Sequence, residues 1–536
     1  MKIDTLYKQI AFKLEGAIEV ENYDVIENIV LGNEFSKVTN IEFLNFCRKS
    51  SLFRSAIFLS NFCSENNINK SYNEIINLCY QSILKSNFND EISLLDTNEN
   101  ILTITVKSII GESNKDIDFI EKIDFRTQIA IELSLDFHRF ELTKNIIRAL
   151  LKSGITSAEA LTIIRCFIDR YDNIEKINNL HHIVEPLEDL INFIDPDIDD
   201  DLRNILSLSF ASFARSAGLF DRAIHYSKKL QSNGYSLPAL LSEAKTYCKI
   251  NDFENANIAF DNYLRTYLEN DGDLSFEKKL QTTNIVDEKD FNYEGAITAI
   301  KRLTEILSMD KIESFIMSGT LLGFVRDKNL LLHDKDVDIG IFGWQDQYTF
   351  VDRLNRTNEF TIHWDYVSGE SAHTIPVGHK PTKTVMDIFL FRKDEEKFYH
   401  GIDHSWGFLQ RFAHTKFEIA QADFFGSQVG IPSDPVAWLS EHYGKTWNIP
   451  DKYFNPCLEC PTIIGAGDAL HMMLTRIMMI KSIHKKDKMR FIRAFEVINR
   501  FNGSVFKIDP ALNELIKERL NQEASIFDKN LEFFLN

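Results

Sequence analysis

The sequence predicts an α+β protein: an all-helical, repeat-like N-terminal domain, then a domain built on a mixed sheet, then C-terminal helices. Apolar residues recur three and four positions apart through the first half of the chain, which is the period of amphipathic helices. Apolar and alternating runs typical of strands are concentrated between residues 314 and 404. We therefore expect a helical domain over residues 1–270, a connecting segment over 271–292, the mixed-sheet domain over 293–455 and a helical region over 456–536.

Length and charge limit the classes of protein that this chain can represent. At 536 residues it exceeds one typical hydrophobic core, so we expect two or three domains. Its 79 acidic against 60 basic residues give a net charge of −19. That balance argues against a nucleic-acid partner, because a general nucleic-acid binder needs a basic surface to displace counterions.

The first residues do not have the pattern of a secretory signal, since no apolar stretch follows a basic segment there. No run approaches the roughly 20 apolar residues that a membrane span needs. Seven scattered cysteines do not resemble the framework of a secreted, disulfide-bonded protein. We therefore expect a cytoplasmic protein. Cys457 and Cys460 have the spacing of half a zinc site, and the alternative is two thiols in a loop between prolines.

One repeat is visible in the helical half. Phe220 and Phe253 are 33 residues apart, and so are Ala223 and Ala256. This spacing resembles tetratricopeptide helix pairs, in which small and aromatic residues interlock at a period near 34 residues. Such a helical stack could present a concave face to a protein partner, or it could pack on the rest of the chain. The sequence leaves both alternatives open.

A strand-like segment carries an acidic residue at every second position. Asp334, Asp336 and Asp338 share one face of this strand, and the apolar residues between them share the other. Neighbouring carboxylates repel each other unless a cation lies between them. Mg²⁺, with Mn²⁺ as an alternative, prefers such oxygen ligands and keeps positions open for phosphate. The alternative is that these acids are only solvated.

A further acid, Asp387, interrupts the apolar run 384–391, which has the pattern of a buried strand. A buried carboxylate is costly unless it is paired or bound to a metal. Asp387 follows Asp338 by 49 residues, which is enough chain for an excursion and a return beside the first strand. We therefore predict that Asp336, Asp338 and Asp387 are the catalytic and metal-binding residues.

The segment before the acids has features of a phosphate site. Gly319 is expected to form a turn after Ser318, and a helix from Thr320 onward would point its free N–H groups at a phosphate. Arg326 could add a bidentate clamp, or it could pair instead with a neighbouring acid. Lys383 lies just before the strand that contains Asp387 and completes the predicted set of phosphate-binding residues.

Two motifs together resemble a known family. Ser-Gly-Thr-Leu-Leu-Gly at 318–323, followed by Asp-x-Asp-Val-Asp-Ile-Gly at 334–340, is similar to the LicD/fukutin-related family of the polymerase-beta-type nucleotidyltransferase superfamily. The Tyr-Gly-x-x-Trp-x-x-Pro element at 443–450 resembles the closing element of that family. The resemblance covers residues 293–455 and implies a nucleotidyltransferase-type fold for the mixed-sheet domain.

The resemblance also implies an activity. Relatives transfer a phosphorylated alcohol, such as phosphocholine or a polyol phosphate, from a CDP-linked donor to a sugar hydroxyl of a surface glycan or glycolipid, as in capsule or lipopolysaccharide biosynthesis. One alternative is a nucleotidyltransferase that releases pyrophosphate. Another is a non-enzymatic helical scaffold with an inactive catalytic domain.

A basic cluster between Lys481 and Arg493 stands out in an acidic chain. It could contact anionic lipid or a phosphorylated glycan, which would place the protein at the inner face of the cell membrane. The alternative is a solvated helix face with favourable charge near the helix C-terminus.

Overall fold

The computed structural model describes residue 79 and residues 101–110, 125–137, 139–171, 181–194, 198–270, 292–331, 336–404, 406–501 and 503–524. The chain divides into two compact units, Met1–Tyr235 and Ser236–Asn536. All the described residues of the predicted catalytic site belong to the second unit.

The described part of the first unit is helical. Its helices are, in order, α1 (Ile101–Ile110), α2 (Phe125–Asp136), α3 (Phe140–Ser153), α4 (Ser157–Tyr171), α5 (His181–Ile194), α6 (Asp200–Ser216) and α7 (Phe220–Ser232). Each contributes apolar residues to one core, and α3 does so with Ile146, Ile147 and Leu150. Their spacing of three and four residues puts these side chains on one helix face. The helical character that the sequence predicts here is confirmed.

The second unit contains both helices and strands. Its described α-helices are α8 (Ser236–Lys249), α9 (Phe253–Glu269), α10 (Tyr293–Met309), α11 (Ser318–Leu322), α12 (Gln347–Arg356), α13 (Pro435–Tyr443), α14 (Pro456–Glu459), α15 (Ala469–Lys485), α16 (Lys488–Arg500) and α17 (Pro510–Ala524). A turn of π-helix, Gly323–Asp327, continues α11.

Helices α8 and α9 pack with the C-terminal helices. They share a hydrophobic core with α15, α16 and α17. Within it, the buried guanidinium group of Arg476 donates from Nε to Oδ1 of Asp261 at 2.6 Å. The domain boundary expected at residue 270 therefore differs from the division at Tyr235, because the 236–269 helix pair completes this second helical core.

The 33-residue repeat falls at equivalent positions of two helices. Phe220 begins α7 and Phe253 begins α9, and Ala223 and Ala256 are both fully buried three residues later. The small side chains allow close helix packing at this position. Assignment of these pairs to the tetratricopeptide class stays a prediction.

The strands of the second unit form a mixed sheet and a separate hairpin. They are β1 (Glu313–Ile316), β2 (Asp336–Phe342), β3 (Phe360–Ile362), β4 (Thr374–His379), β5 (Thr384–Lys393), β6 (Lys397–Asp403), β7 (Leu409–Thr415), β8 (Ile419–Phe424) and β9 (Ser427–Pro432). The seven-stranded sheet has the order β1-β2-β5-β4-β3, with β6 pairing both β5 and β7, and β8 pairs β9. Only the β2–β5 pair is parallel among the strand pairs of the described residues. The predicted α+β class is confirmed.

Alternation along β2 anchors the acid-bearing strand in the core. Val337, Ile339 and Ile341 are at most 2% exposed and pack beneath the sheet. This burial determines the face of the sheet on which Asp336 and Asp338 lie. A shift of the strand by one residue would move the acidic side chains to the buried face and the apolar ones to the other face.

Helix α13 has a defined N-terminal cap. Asp434 caps α13 by accepting a hydrogen bond from the N–H of Ala437 at 2.9 Å, and Pro435 occupies the first turn. In the part of the chain that the structure describes, no helix has the length and apolar character required to cross a membrane.

Candidate active site

The two acid-bearing strands lie side by side and run in the same direction. In the parallel register Asp338 lies opposite Asp387, and Asp336 lies opposite Val385. Register partners on neighbouring strands project to the same side of a sheet, and so do residues two apart on one strand. The three predicted catalytic acids therefore share one face. Asp334 lies outside the described residues.

Asp387 is the acid with the most strongly shifted protonation. Burial, and then the negative charge of Asp336, raise the pKa of Asp387 to about 6. Both effects disfavour the ionised form, and a bound cation would oppose them. A carboxyl group with a pKa of this size can gain or lose a proton near neutral pH, as a general base must.

The three carboxylates have the chemistry of ligands for a hard divalent cation. Asp336, Asp338 and Asp387 supply only carboxylate oxygens, the ligands that such a cation prefers, and burial together with the charge of Asp336 raises the pKa of Asp387. The described residues nevertheless contain no group of three or more His, Cys, Asp or Glu side chains placed so that they could hold a metal ion. To hold one, Asp338 would share its carboxylate between the ion and the hydrogen bond it already accepts. Metal binding therefore stays a prediction.

The segment before the π-turn holds Asp338 in place. The N–H of Gly319 donates to Oδ2 of Asp338 at 3.0 Å. The backbone N–H of Asp338 donates to Oγ1 of Thr320 at 2.9 Å, and Thr320 is 2% exposed. Thr320 thus positions the acid strand from a buried site. The Ser-Gly-Thr motif connects to the acids directly, which sequence spacing alone does not reveal.

The left-handed turn in this motif falls on Ser318, not on Gly319. Helix α11 begins at Ser318, whose φ is 42°. Gly319 is the second helical residue, so the predicted glycine turn and helix start at Thr320 are displaced towards the N-terminus. Side chains rarely adopt such a backbone conformation, and strain of this kind is concentrated at functional sites.

Gly323, at the end of the motif, is required by a close backbone approach. A Cβ atom at this position would lie 2.7 Å from the carbonyl oxygen of Asn329 and 2.8 Å from the nitrogen of Leu331. Only glycine accommodates the returning chain there. Its role is to let the loop fold back towards the acid strand.

The two predicted basic residues are placed differently. Arg326 is 13% exposed and forms two hydrogen bonds with the carboxylate of Asp327, from Nε at 2.9 Å and from Nη2 at 3.0 Å. This is the neighbouring-acid alternative that the sequence left open, although Arg326 still lines the cleft described below. Lys383 is exposed in the turn before β5, with a φ of 58°.

A cleft of about 630 Å³ opens at this site. Five of its lining residues form what we call the acid wall: Ser318, Gly319, Arg326, Asp336 and Asp338. Asp387, Thr320 and Lys383 are not among the lining residues. The cleft thus brings together five of the eight predicted site residues, with Asp387 adjacent through the strand register.

Another part of the lining comes from residues beyond the strands. We call it the aromatic wall: Tyr443, Trp447, Asp451, Phe454, Glu459, Arg493 and Arg500. Tyr443 and Trp447 belong to the motif already noted. Arg493 belongs to the basic cluster noted in the sequence, but the sequence links neither Arg493 nor Arg500 to the cleft, because their helix has the apolar periodicity and surface charge of an ordinary solvated helix.

Buried histidines also reach the cleft. His400 and His442 line it, and Nε2 of His400 lies 3.2 Å from Nε2 of His414. Burial lowers the pKa of all three, that of His442 to about 3. They are therefore neutral at physiological pH and contribute no cationic charge to the cleft.

Cys457 and Cys460 lie in and next to α14, whose Glu459 belongs to the aromatic wall. Burial raises the pKa of the Cys457 thiol to about 11, so it remains protonated. No zinc-ligand group that includes these cysteines is found among the described side chains.

Comparison with known proteins identifies this region. Residues 311–434 match the family model "LicD/FKTN/FKRP, nucleotidyltransferase domain". The chain is 28% identical over 153 residues to ribitol-5-phosphate transferase FKTN of Homo sapiens, covering 26% of this chain and 30% of the relative. The Mus musculus protein of the same name is 27% identical over 172 residues, which are 30% of this chain and 37% of the relative. Uncharacterized protein RP689 of Rickettsia prowazekii is 30% identical over 192 residues, 35% of this chain and 62% of that protein.

The similarity is thus one of domains. The chain spans about a third of the length of the ribitol-5-phosphate transferases it matches. The matched segment contains the described residues of the acid wall and Asp387, whereas every residue of the aromatic wall follows it. Residues 311–434 form a nucleotidyltransferase domain of the LicD/fukutin-related family.

Proposed function

We propose that this chain transfers a phosphorylated alcohol from a CDP-linked donor to a sugar hydroxyl, with Mg²⁺ or Mn²⁺ as cofactor. The observation that carries the proposal is the strand register, which sets Asp387 beside Asp338 next to a cleft that Asp336 and Asp338 line. The domain match and the names of the ribitol-5-phosphate transferases support the class of reaction.

Charge supports a metal-dependent reaction. The acid wall carries Asp336 and Asp338, and its guanidinium group, that of Arg326, is already paired with Asp327. A donor diphosphate would meet net negative charge there. A divalent cation held by Asp336, Asp338 and Asp387 would supply the electrostatic stabilisation that phosphoryl transfer requires.

The chain's own residues have separate roles in this scheme. The acceptor oxygen attacks the phosphorus that bears the alcohol, the bond to the bridging anhydride oxygen breaks, and CMP leaves with that oxygen. Asp387 either completes the metal site or accepts the proton of the acceptor hydroxyl. Gly319 and Thr320 hold Asp338, while Ser318 and Arg326 border the donor phosphates.

The test is a panel of CDP-alcohols, including CDP-choline and CDP-ribitol, incubated with Mg²⁺ and candidate sugar acceptors. We expect CMP release with at least one donor, and D338N should lose this turnover. D423N is the matched control, because Asp423 is an exposed acid outside the cleft lining.

Two results would favour the alternatives. Release of pyrophosphate from a nucleoside triphosphate, with no CMP from any CDP-alcohol, would identify a nucleotidyltransferase. Unchanged biological activity in D336A would favour a helical scaffold with an inactive catalytic domain.

The setting of the reaction is part of the same proposal. A surface glycan such as capsule or lipopolysaccharide as acceptor, a cytoplasmic location at the membrane, and a protein partner on the helical repeats are supported by the resemblance described under the sequence analysis. They depend on the transfer activity and are tested after it.

A further inference from the structure

The aromatic wall is built by a different part of the chain from the matched domain. It comprises the segment from Tyr443 to Glu459 and two arginines of α16, all beyond residue 434. It lines the same cleft as the acid wall, so a ligand bound there would lie close to the site of transfer.

The segment from Tyr443 to Phe454 contributes aromatic and apolar side chains to this wall. The rings of Tyr443 and Phe454 are 5.3 Å apart between centroids, and Trp447 is partly buried against the sheet's core. Ile449, which also lines the cleft, is 63% exposed. Rigid aromatic faces offer apolar contact area to the C–H faces of a sugar ring at little entropic cost.

The two arginines of this wall are paired with carboxylates, whereas Lys452, which also lines the cleft, lies over the ring of Tyr453. Nη2 of Arg493 lies 2.8 Å from Glu459 and 3.1 Å from Asp451, and Nη1 lies 3.8 Å from Glu496. Nη2 of Arg500 lies 3.6 Å from Glu459, whose side chain is 3% exposed. Paired charges disfavour an added phosphate, because its charge would compete with carboxylates already in place.

The same ion pairs suit hydroxyl groups. A guanidinium group donates hydrogen bonds and a carboxylate accepts them. A hydroxyl group beside such a pair can therefore accept one hydrogen bond from the guanidinium group and donate one to the carboxylate. Nε of Arg493 is buried and has no hydrogen-bond partner among the described residues, so the ion pairs leave one donor unsatisfied. Buried donors are normally satisfied, and such an exception at a cleft indicates an incomplete site.

We propose that the aromatic wall binds a neutral, hydroxyl-rich glycan: Trp447 and Tyr443 contact the sugar rings, and Asp451, Arg493 and Arg500 bind the hydroxyls. This glycan is the acceptor if the proposed transfer activity is correct, and only that part rests on the proposed function. The phosphorylated glycan considered for the basic cluster is the competing ligand.

The experiment is capture of the labelled full-length protein on an array of neutral and phosphorylated glycans. We expect binding to neutral glycans, reduced about tenfold or more in W447A and R500A. The matched controls are W364A and R490A. Trp364 is 53% exposed away from the cleft lining, and Arg490, on the same helix as Arg500, has the same 52% side-chain exposure.

D336N separates this proposal from the transfer activity, since it should lose CMP release but retain glycan capture. Binding to phosphorylated glycans alone, no binding to any neutral glycan, or equal losses in R500A and R490A would overturn the proposal. Because Arg500 is half exposed, R500A keeps the test valid if W447A fails to fold. Capture without CMP release from any donor would refute the transfer activity and leave this inference standing.

Discussion

The acid wall and the aromatic wall line one cleft with opposite electrostatic arrangements. On the acid wall, the carboxylates of Asp336 and Asp338 line the cleft, and the guanidinium group of Arg326 is paired with Asp327. On the aromatic wall, Arg493 and Arg500 share Glu459 as a partner. We propose an added cation for the first arrangement and none for the second.

The comparison shows how one cleft can separate two ligands by charge. In this proposal, an anionic donor binds at the acid wall together with a metal ion. A neutral acceptor binds at the aromatic wall, where its hydroxyl groups form hydrogen bonds with the paired charges. The acid wall comes from the matched domain and the aromatic wall from the segment after it. If both proposals are correct, different segments of the chain carry the chemistry and the acceptor binding.

The largest expected effect lies on the acid wall. D338N should lower kcat for CMP release by about a thousandfold, the scale of losing one preorganised electrostatic contact at a transition state. The double variant D336N/D338N should be hardly worse, because residues that act as one unit are not additive. Steady-state kinetics with D423N as control measures both, and losses that simply multiply would contradict a shared site.

A stability effect should follow from Asp387 in the metal-free protein. Its folded pKa of about 6 lies above the ordinary value of 3.8. The folded state therefore holds the proton more tightly, and stability falls as pH rises through this window. At pH 8 the cost is about 3 kcal/mol. D387N should thus be more stable than wild type at pH 8, with the difference vanishing towards pH 4.

Thermal unfolding in the presence of a chelator, at pH 4.5 and pH 8, measures this difference. D423N should leave the pH profile unchanged. A D387N protein that is destabilised at pH 8 would show that Asp387 is stabilised by a partner instead of being repelled, and the contrast between the walls would weaken.

The smallest expected effect concerns Ser318. Glycine adopts a φ of 42° more readily than serine, so S318G should be as stable as wild type or more stable, by up to about 1 kcal/mol. K383G, at an exposed turn with a φ of 58°, is the matched control. Chemical denaturation measures both. Destabilisation of S318G alone would mean that the Ser318 side chain holds the acid wall together.

Local rules explain why the sequence places the predicted acids on neighbouring strands. A period of two residues puts Asp336 and Asp338 on one face of the strand. Asp387 is an acidic residue within an apolar run, and a buried carboxylate of this kind is costly unless it is paired or bound to a metal. The parallel register that sets Asp338 opposite Asp387 depends on the tertiary structure. The 49-residue spacing permits that register but does not determine it.

Other features could not be predicted, for definite physical reasons. The left-handed turn at Ser318 goes against residue preference, so glycine was the natural expectation. Arg493 reaches the cleft only because α16 packs on α15, and helical periodicity cannot tell a cleft-lining face from a solvated one. Helices α8 and α9 look like a continuation of the N-terminal helices, since their amphipathic pattern does not specify which core they join.

The central claim is that the cleft holds a cation on the acid wall and none on the aromatic wall. Titration calorimetry with Mn²⁺ tests it directly on wild type, D338N and D451N, with the two variants each removing one cleft-lining carboxylate. We predict that wild type and D451N bind the ion equally and that D338N binds it at least tenfold more weakly. Equal binding by wild type and D338N, or no binding by wild type, would contradict the account.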